Sequence, residues 1–171
     1  MTGNLASHIT VTCRDGGDEI TSVYAVNEDI SRELDQCIKK LTGKDLQTWL
    51  EHRGCRLDCA EDHPAFVRRY ADGSTEEYYY RNGKPHRDGG PAFVKRTADG
   101  STVEAYYRDG KQHREDGPAL VKRFADGATC EEYFRDGKKH REDGPAYIWH
   151  NINGRAVERY YRDGKLHDDD G

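Results

Sequence analysis

Four histidines at a fixed spacing are candidate metal ligands. His86, His113, His140 and His167 lie 27 residues apart, and imidazole nitrogens are common zinc ligands. Neighbouring strands are about 4.8 Å apart, so repeats of two or three strands place successive histidines roughly 10–14 Å apart. A zinc ligand lies about 2 Å from its ion. The spacing therefore disfavours a shared metal and favours a structural role, in which each imidazole braces the turn into Asp-Gly-Pro-Ala.

A second candidate metal site precedes the histidine series. His52, Cys55, Cys59 and His63 carry zinc-ligating atoms within twelve residues, but zinc sites usually contain CxxC pairs, or a Cys pair far from a His pair. A structural zinc and a capped junction with incidental thiols are both open interpretations. The zinc content of the purified protein distinguishes them.

Rows of tyrosine and arginine suggest nucleic-acid binding. Tyrosine recurs at positions 79, 106, 133 and 160, and arginine recurs two residues after each. Aromatic rings that stack on bases, beside cations that meet phosphates, are typical of single-strand binders. A glutamate stands two residues before each tyrosine, however, which favours internal ion pairs and an aromatic core. Single-stranded nucleic-acid binding is kept as an alternative.

Catalytic motifs are missing from the sequence. It contains no GxSxG, P-loop, HExxH or Rossmann glycine pattern. Cys13 and His8 could form a dyad, but alternation along a strand places them on opposite faces. We therefore predict a protein that is not an enzyme and needs no cofactor.

Composition narrows the class of protein. The 171 residues carry 27 basic and 32 acidic side chains, a net charge of −5 with both signs mixed, which is unlike the basic footprint of a typical nucleic-acid binder. No apolar run is long enough for a membrane span, and no signal peptide is evident. The five cysteines at irregular spacing do not resemble a secreted disulfide framework. We expect a cytoplasmic protein that makes no membrane contact and has reduced thiols.

The first 54 residues read as a small separate domain. Residues 8–13 alternate between apolar and polar, residues 15–17 form a turn, and residues 20–26 form the returning strand. Asn27 offers a helix N-cap, and apolar residues at helical spacing follow until Gly43. Asp45 caps a second short helix. This predicts a ββαα domain over 1–54 and a junction over 55–63, in which a degenerate repeat is an open interpretation.

From residue 64 to residue 171 the chain repeats four times at a period of 27. We number the repeats 1 to 4 from their first residues, which are Pro64, Pro91, Pro118 and Pro145. In repeat 3, residues 120–124 predict a strand, 125–127 a turn, and 129–135 the return strand. A second Asp-Gly turn and a short extension follow. The predicted fold class is α+β, with a ββαα domain followed by a four-unit antiparallel β-hairpin array, a meander.

The hairpin register is open at this level. A two-residue loop would place Arg68, Lys95 and Lys122 directly across from Glu77, Glu104 and Glu131. A three-residue loop with a glycine bulge would shift the partners by one. In either register, a continuous return strand would put the glutamate, tyrosine and arginine of each repeat on one face.

The run Tyr-Tyr-Arg-Asp-Gly-Lys-Gln-His-Arg-Glu-Asp-Gly-Pro-Ala, residues 106–119, resembles the tandem β-hairpin repeats of bacterial and phage proteins, which are loosely grouped with MORN-type repeats. The resemblance covers about 64–171. It implies an antiparallel sheet used for protein contact and sometimes for lipid contact, with no catalytic residues to carry over.

These observations predict a non-enzymatic, protein-binding repeat module that presents a mixed-charge sheet surface. Contact positions are expected where the repeats differ from one another. The contact candidates are Tyr78, Glu132, Trp149, His150, Asn151 and Arg159. Alternatives are a phage or mobile-element inhibitor that binds a bacterial defence enzyme or complex, and a homodimer formed through a sheet edge.

Overall fold

The computed structural model describes the backbone of residues 5–15, 17–27, 48, 50–52, 55–57 and 63–167. The chain divides into two compact units, Met1–Lys84 and Pro85–Gly171, which we call the N-terminal and C-terminal units. The boundary falls inside repeat 1. Each unit is described separately.

The described part of the N-terminal unit is built from short antiparallel strands. They are β1 (Leu5–Asp15), β2 (Asp18–Asn27), β3 (Arg56–Leu57), β4 (Phe66–Arg69), β5 (Thr75–Tyr78) and β6 (Tyr80–Arg81), and β7 (Lys84–Pro85) spans the boundary between the units. The order within this part of the sheet is β1-β2-β4-β5, and β3 also pairs with β2.

The predicted N-terminal hairpin is confirmed. Asp15 pairs with Asp18 across the turn, and the register continues back along both strands. Thr10 and Thr12 are exposed while Val11 is buried, as alternation requires.

The predicted α+β fold class is wrong. The part of the chain that the structure describes is nearly all β, with one short helix. Helical residues within the described part are Thr48, Leu50, Glu51 and His52, which belong to the second predicted helix. The first, over 28–42, lies outside the described residues. The N-terminal hairpin joins the repeat sheet. Its strand β2 pairs with β4, the first strand of repeat 1, from Glu19↔Arg69 to Ser22↔Phe66.

Side chains reinforce the pairing of β2 with β4. Arg68 donates to Asp18 over 2.7 Å, and this hydrogen bond raises the pKa of the arginine. Tyr24 of β2 is buried, and its hydroxyl donates to Glu51 of the short helix over 3.0 Å. β2 thus covers the edge of β4, the first strand of the repeats.

The C-terminal unit contains one main sheet and a series of short hairpins. Its further strands are β8 (Phe93–Arg96), β9 (Thr102–Ala105), β10 (Tyr107–Arg108), β11 (Lys111–Gln112), β12 (Leu120–Arg123), β13 (Thr129–Glu132), β14 (Phe134–Arg135), β15 (Lys138–Lys139), β16 (Tyr147–His150), β17 (Ala156–Arg159), β18 (Tyr161–Arg162) and β19 (Lys165–Leu166). The order within the main sheet is β8-β9-β12-β13-β16-β17, and β10-β11, β14-β15 and β18-β19 pair separately.

The hairpins of the main sheet, such as β12-β13 in repeat 3, close with three-residue loops. In repeat 3 the Phe124 amide donates to Ala128 over 2.9 Å, and the Gly127 amide donates back to Phe124 over 2.9 Å. Gly127 has a φ of 89°, which the bulge requires. Lys122 therefore lies opposite Cys130, not opposite Glu131. The three-residue alternative is confirmed and the two-residue register is wrong.

The return strand is not continuous, which corrects a second expectation. The break falls at Tyr133, whose amide donates to Ala146 of the next repeat over 2.8 Å. Beyond it, β14 pairs with β15 across Asp136-Gly137. The φ angles there are 51° and 83°, as in a type I′ turn. The glutamate, tyrosine and arginine columns therefore do not share one strand face.

The short hairpins are hydrogen-bonded to one another, repeat by repeat, in what we call the short-hairpin ladder. The Gly110 amide donates to Pro85 over 2.9 Å, Gly137 to Gln112 over 2.8 Å and Gly164 to Lys139 over 2.9 Å. The glycine of each type I′ turn thus joins its repeat to the preceding one. The C-terminal unit therefore advances along two coupled tracks, the main sheet and this ladder.

Candidate functional site

The main sheet of the C-terminal unit has two faces of different character. The strand registers place twelve side chains on what we call the first face: Phe93, Lys95, Val103, Ala105, Leu120, Lys122, Cys130, Glu132, Tyr147, Trp149, Val157 and Arg159. The second face carries Val94, Arg96, Thr102, Glu104, Val121, Arg123, Thr129, Glu131, Ile148, His150, Ala156 and Glu158.

The second face repeats its chemistry. Val94, Val121 and Ile148 alternate across the strands with three glutamates, and the two valines are buried at 5% exposure. Arg123 reaches Glu104 across the strands at 3.4 Å. On this face the Arg123–Glu104 pair neutralises charge across neighbouring repeats.

The first face varies from repeat to repeat and is cationic. Its strand residues include three basic side chains, Lys95, Lys122 and Arg159, against one acidic side chain, Glu132. The protein as a whole is acidic. The first face is therefore a local reversal of charge, which can attract and orient an acidic surface.

An exposed apolar patch lies on the first face toward the end of the chain. The rings of Phe124 and Trp149 are 5.2 Å apart at 56°, and Val157 pairs directly with Trp149. Phe124 is 37% exposed and Val157 48%. We call these three residues the apolar patch. Ile152, in the next hairpin turn, is 64% exposed. Exposed apolar side chains that lie together mark contact surfaces.

Beside the apolar patch, three rings and a carboxylate surround one ammonium group. Lys139 Nζ lies 6.0 Å from the ring centre of Phe134, 5.1 Å from Tyr147 and 5.4 Å from Tyr161. It also forms a 2.8 Å ion pair with Glu132. These distances are those of cation–π contacts. We call Glu132, Phe134, Tyr147 and Tyr161 the lysine cage.

A buried thiol lies under this region. Cys130 is 3% exposed; burial raises its pKa, and the neighbouring Glu132 raises it further. Burial and contact with Cys130 likewise raise the pKa of Tyr147. Both groups are therefore protonated at neutral pH, and a protonated thiol is a poor nucleophile.

The histidines link successive repeats. His86, His113 and His140 are buried, and the Nδ1 atom of each accepts a backbone amide hydrogen from the next repeat's type I′ turn at 3.0–3.2 Å. The imidazole therefore braces the turn of the following repeat through Nδ1. Its Nε2 faces a carboxylate in the loop of its own repeat, as in the 3.0 Å contact between His86 and Asp88.

Two grooves lie between successive loops that follow these histidines, with volumes of about 500 and 370 Å³. Their cations are already engaged. Arg141 stacks over Tyr133 at 4.0 Å and donates to the Pro145 carbonyl over 3.2 Å. Arg135 donates to Glu142 over 2.9 Å, which lowers the pKa of that carboxyl. The arginines that line the grooves are therefore bonded to protein groups in these loops.

The six contact candidates are found in four different places. Glu132, Trp149 and Arg159 share the first face. His150 is on the second face, and the side chain of Asn151 closes a turn by accepting the Asn153 and Arg155 amides. Tyr78 lies in the N-terminal unit, edge-to-face with Phe66 at 5.6 Å.

Sequence reasoning singled out Glu132 and Trp149 but not the other members of these clusters, which are Phe124, Phe134, Lys139, Tyr147, Val157 and Tyr161. A signal was present, because position 139 is proline, glutamine, lysine or leucine in the four repeats. A position that differs in every repeat is not constrained by stacking.

Cys59 lies outside the described residues, so the candidate zinc quartet of His52, Cys55, Cys59 and His63 is only partly covered. Among the described residues, no three His, Cys, Asp or Glu side chains are grouped so as to hold a metal ion. Nor does that part of the chain contain a helix long and apolar enough to cross a membrane.

Comparison with protein-family models and with curated protein sequences found no match.

Proposed function

We propose that this protein is a non-enzymatic binding module and that the first face of the C-terminal unit contacts a protein partner. The observation that carries the proposal is the contrast between the faces. The second face repeats its residue types and pairs Arg123 with Glu104, whereas the first face varies, carries excess positive charge and exposes the apolar patch. An apolar centre beside charged side chains is the usual arrangement of a protein interface.

Neighbouring residues supply a matched test. Trp149 and His150 follow one another in β16 but lie on opposite faces. Trp149→Ser removes a large ring of the type that dominates binding energy at interfaces, whereas His150→Ser changes an exposed side chain on the second face. Tagged wild type and both variants are incubated with lysate, and bound proteins are quantified by mass spectrometry.

The proposal requires one partner that is depleted at least about tenfold by Trp149→Ser, the loss expected for an interface hot spot, and retained by His150→Ser. Depletion by both variants, or by neither, contradicts it. The resemblance to bacterial and phage repeats makes a bacterial defence complex a partner to look for among the captured proteins.

Single-stranded nucleic acid is the second candidate function. The combination of rings and cations on the first face favours it, because such faces bind bases and phosphates together. Exposed aliphatic side chains such as Val157 and the acidic charge of the whole protein favour a protein partner instead. Fluorescence anisotropy with labelled oligonucleotides at low salt separates the two. Micromolar binding that is lost in Lys122→Glu would replace the protein-binding proposal.

A further inference from the structure

The lysine cage has the composition of a cation-binding site. Three aromatic rings with one carboxylate recur in proteins that recognise ammonium and quaternary ammonium groups. Here the position of the ligand is taken by Lys139 of the same chain, with Nζ within 6.0 Å of all three ring centres.

Lys139 is not required by the repeat. Equivalent positions hold Pro85, Gln112 and Leu166, and the corresponding strands β11 and β19 form the same short hairpin. The Lys139 side chain is 30% exposed. It therefore fills the cage from a solvent-facing strand that tolerates other residues.

The cage itself favours a positive charge. The Glu132 side chain is 12% exposed, and a carboxylate at that depth is costly without a cation beside it. Arg159 is exposed and lies 5.6 Å from the Tyr147 ring, and it is Lys139 that makes the 2.8 Å ion pair with Glu132. A cation that displaces Lys139 restores a positive charge beside this carboxylate.

We propose that the lysine cage is a binding site for a second ammonium or methylated ammonium group, with Lys139 as a displaceable occupant. That the group is a lysine side chain of a partner rests on the proposed function; the cation site itself does not. If Lys139 is out of the cage in only about a tenth of the molecules, the cage binds an added cation about tenfold more weakly than a cage without Lys139. Substitution of Lys139 should therefore raise the affinity for the added cation.

The experiment uses the full chain and tetramethylammonium, with no protein partner, so its failure is independent of the capture experiment. Wild type, Lys139→Ala and Lys138→Ala are titrated while aromatic resonances are followed by NMR. Lys138→Ala is the matched control, because it removes an exposed lysine from the same strand. Lys139→Gln, which copies the residue of repeat 2, serves if the alanine variant melts early.

We expect Lys139→Ala or Lys139→Gln to bind tetramethylammonium about tenfold more tightly than wild type and Lys138→Ala. The shifts should fall on Phe134, Tyr147 and Tyr161. Adding Glu132→Gln should abolish the gain, and neopentyl alcohol, the neutral analogue, should not bind. Equal affinity in all variants, or equal binding of the neutral analogue, would overturn the proposal.

Discussion

The two faces of the C-terminal sheet use the same strands and differ in what changes along them. On the second face, valine or isoleucine alternates with glutamate from β8 to β17. On the first face, the corresponding row runs Phe93, Ala105, Leu120, Glu132, Tyr147 and Arg159. A fixed face keeps adjacent repeats in register, and a variable face is free to acquire contacts. Because successive side chains of a strand point to opposite faces, one face can keep the repeats stacked while the other is free to bind a partner.

The strongest test of this contrast substitutes adjacent residues of β12. Val121→Asp places a carboxylate at a buried position between Glu104 and Glu131, and should lower the free energy of unfolding by about 3 kcal/mol. Lys122→Asp, on the first face, should change it by less than about 1 kcal/mol. Urea denaturation measures both. Equal losses would remove the distinction between the faces.

The second test concerns the histidines that link the repeats. His140→Ala leaves the Asp163 amide without its acceptor and should cost about 2 kcal/mol. His150→Ala, an exposed histidine of the same unit, should cost less than about 0.5 kcal/mol. Thermal unfolding compares them. A larger loss of stability in His150→Ala than in His140→Ala would contradict the role of the buried histidines in joining the repeats.

A third, kinetic test addresses the thiol under the first face. Because burial raises the pKa of Cys130, little of its thiolate is present at pH 7.5. We expect iodoacetamide to modify Cys130 at least about tenfold more slowly than the part-exposed Cys55. Peptide mapping over time gives both rates in one sample. Modification of Cys130 faster than that of Cys55 would contradict the burial of the Cys130 thiol.

The smallest expected effect is acid sensitivity of the loops. Hydrogen bonds from Arg108 and Arg135 lower the pKa values of Glu115 and Glu142 below their ordinary value of 4.5. Their contribution to stability is therefore fully present above pH 4.5 and is lost as the pH falls through the lowered values. The double variant Glu115→Gln/Glu142→Gln should unfold with a flatter dependence between pH 5 and pH 3. A dependence as steep as that of wild type would contradict the assignment.

Several elements of the fold were predictable because local rules determine them. The hairpin turn after Asp15 follows from alternation, and the turn at residues 125–127 follows from the glycine there, although the choice between a two-residue and a three-residue loop required the register. The turn at Asp136-Gly137 is equally local. Each signal lies within a few residues of the element it forms.

Other features were not predictable because they depend on contacts between repeats. The strand break at Tyr133 exists because its amide donates to Ala146, thirteen residues away. The joining of β2 to β4 similarly depends on residues fifty positions apart, such as Asp18 and Arg68. Of the contact candidates, Glu132, Trp149 and Arg159 lie together on the first face, and their role in binding stays a prediction. The lysine cage was not predicted because its members come from four strands in three separate sheets.

The two coupled tracks explain why the period of 27 residues never changes. In each step, Tyr106 and Tyr133 bond to the next repeat in the main sheet while Gly110, Gly137 and Gly164 bond to the previous one in the short-hairpin ladder. An inserted residue in either half of a repeat would offset one track against the other. Changes of length are therefore confined to whole repeats, so that duplication or deletion of a complete 27-residue unit is the natural way to lengthen or shorten this protein.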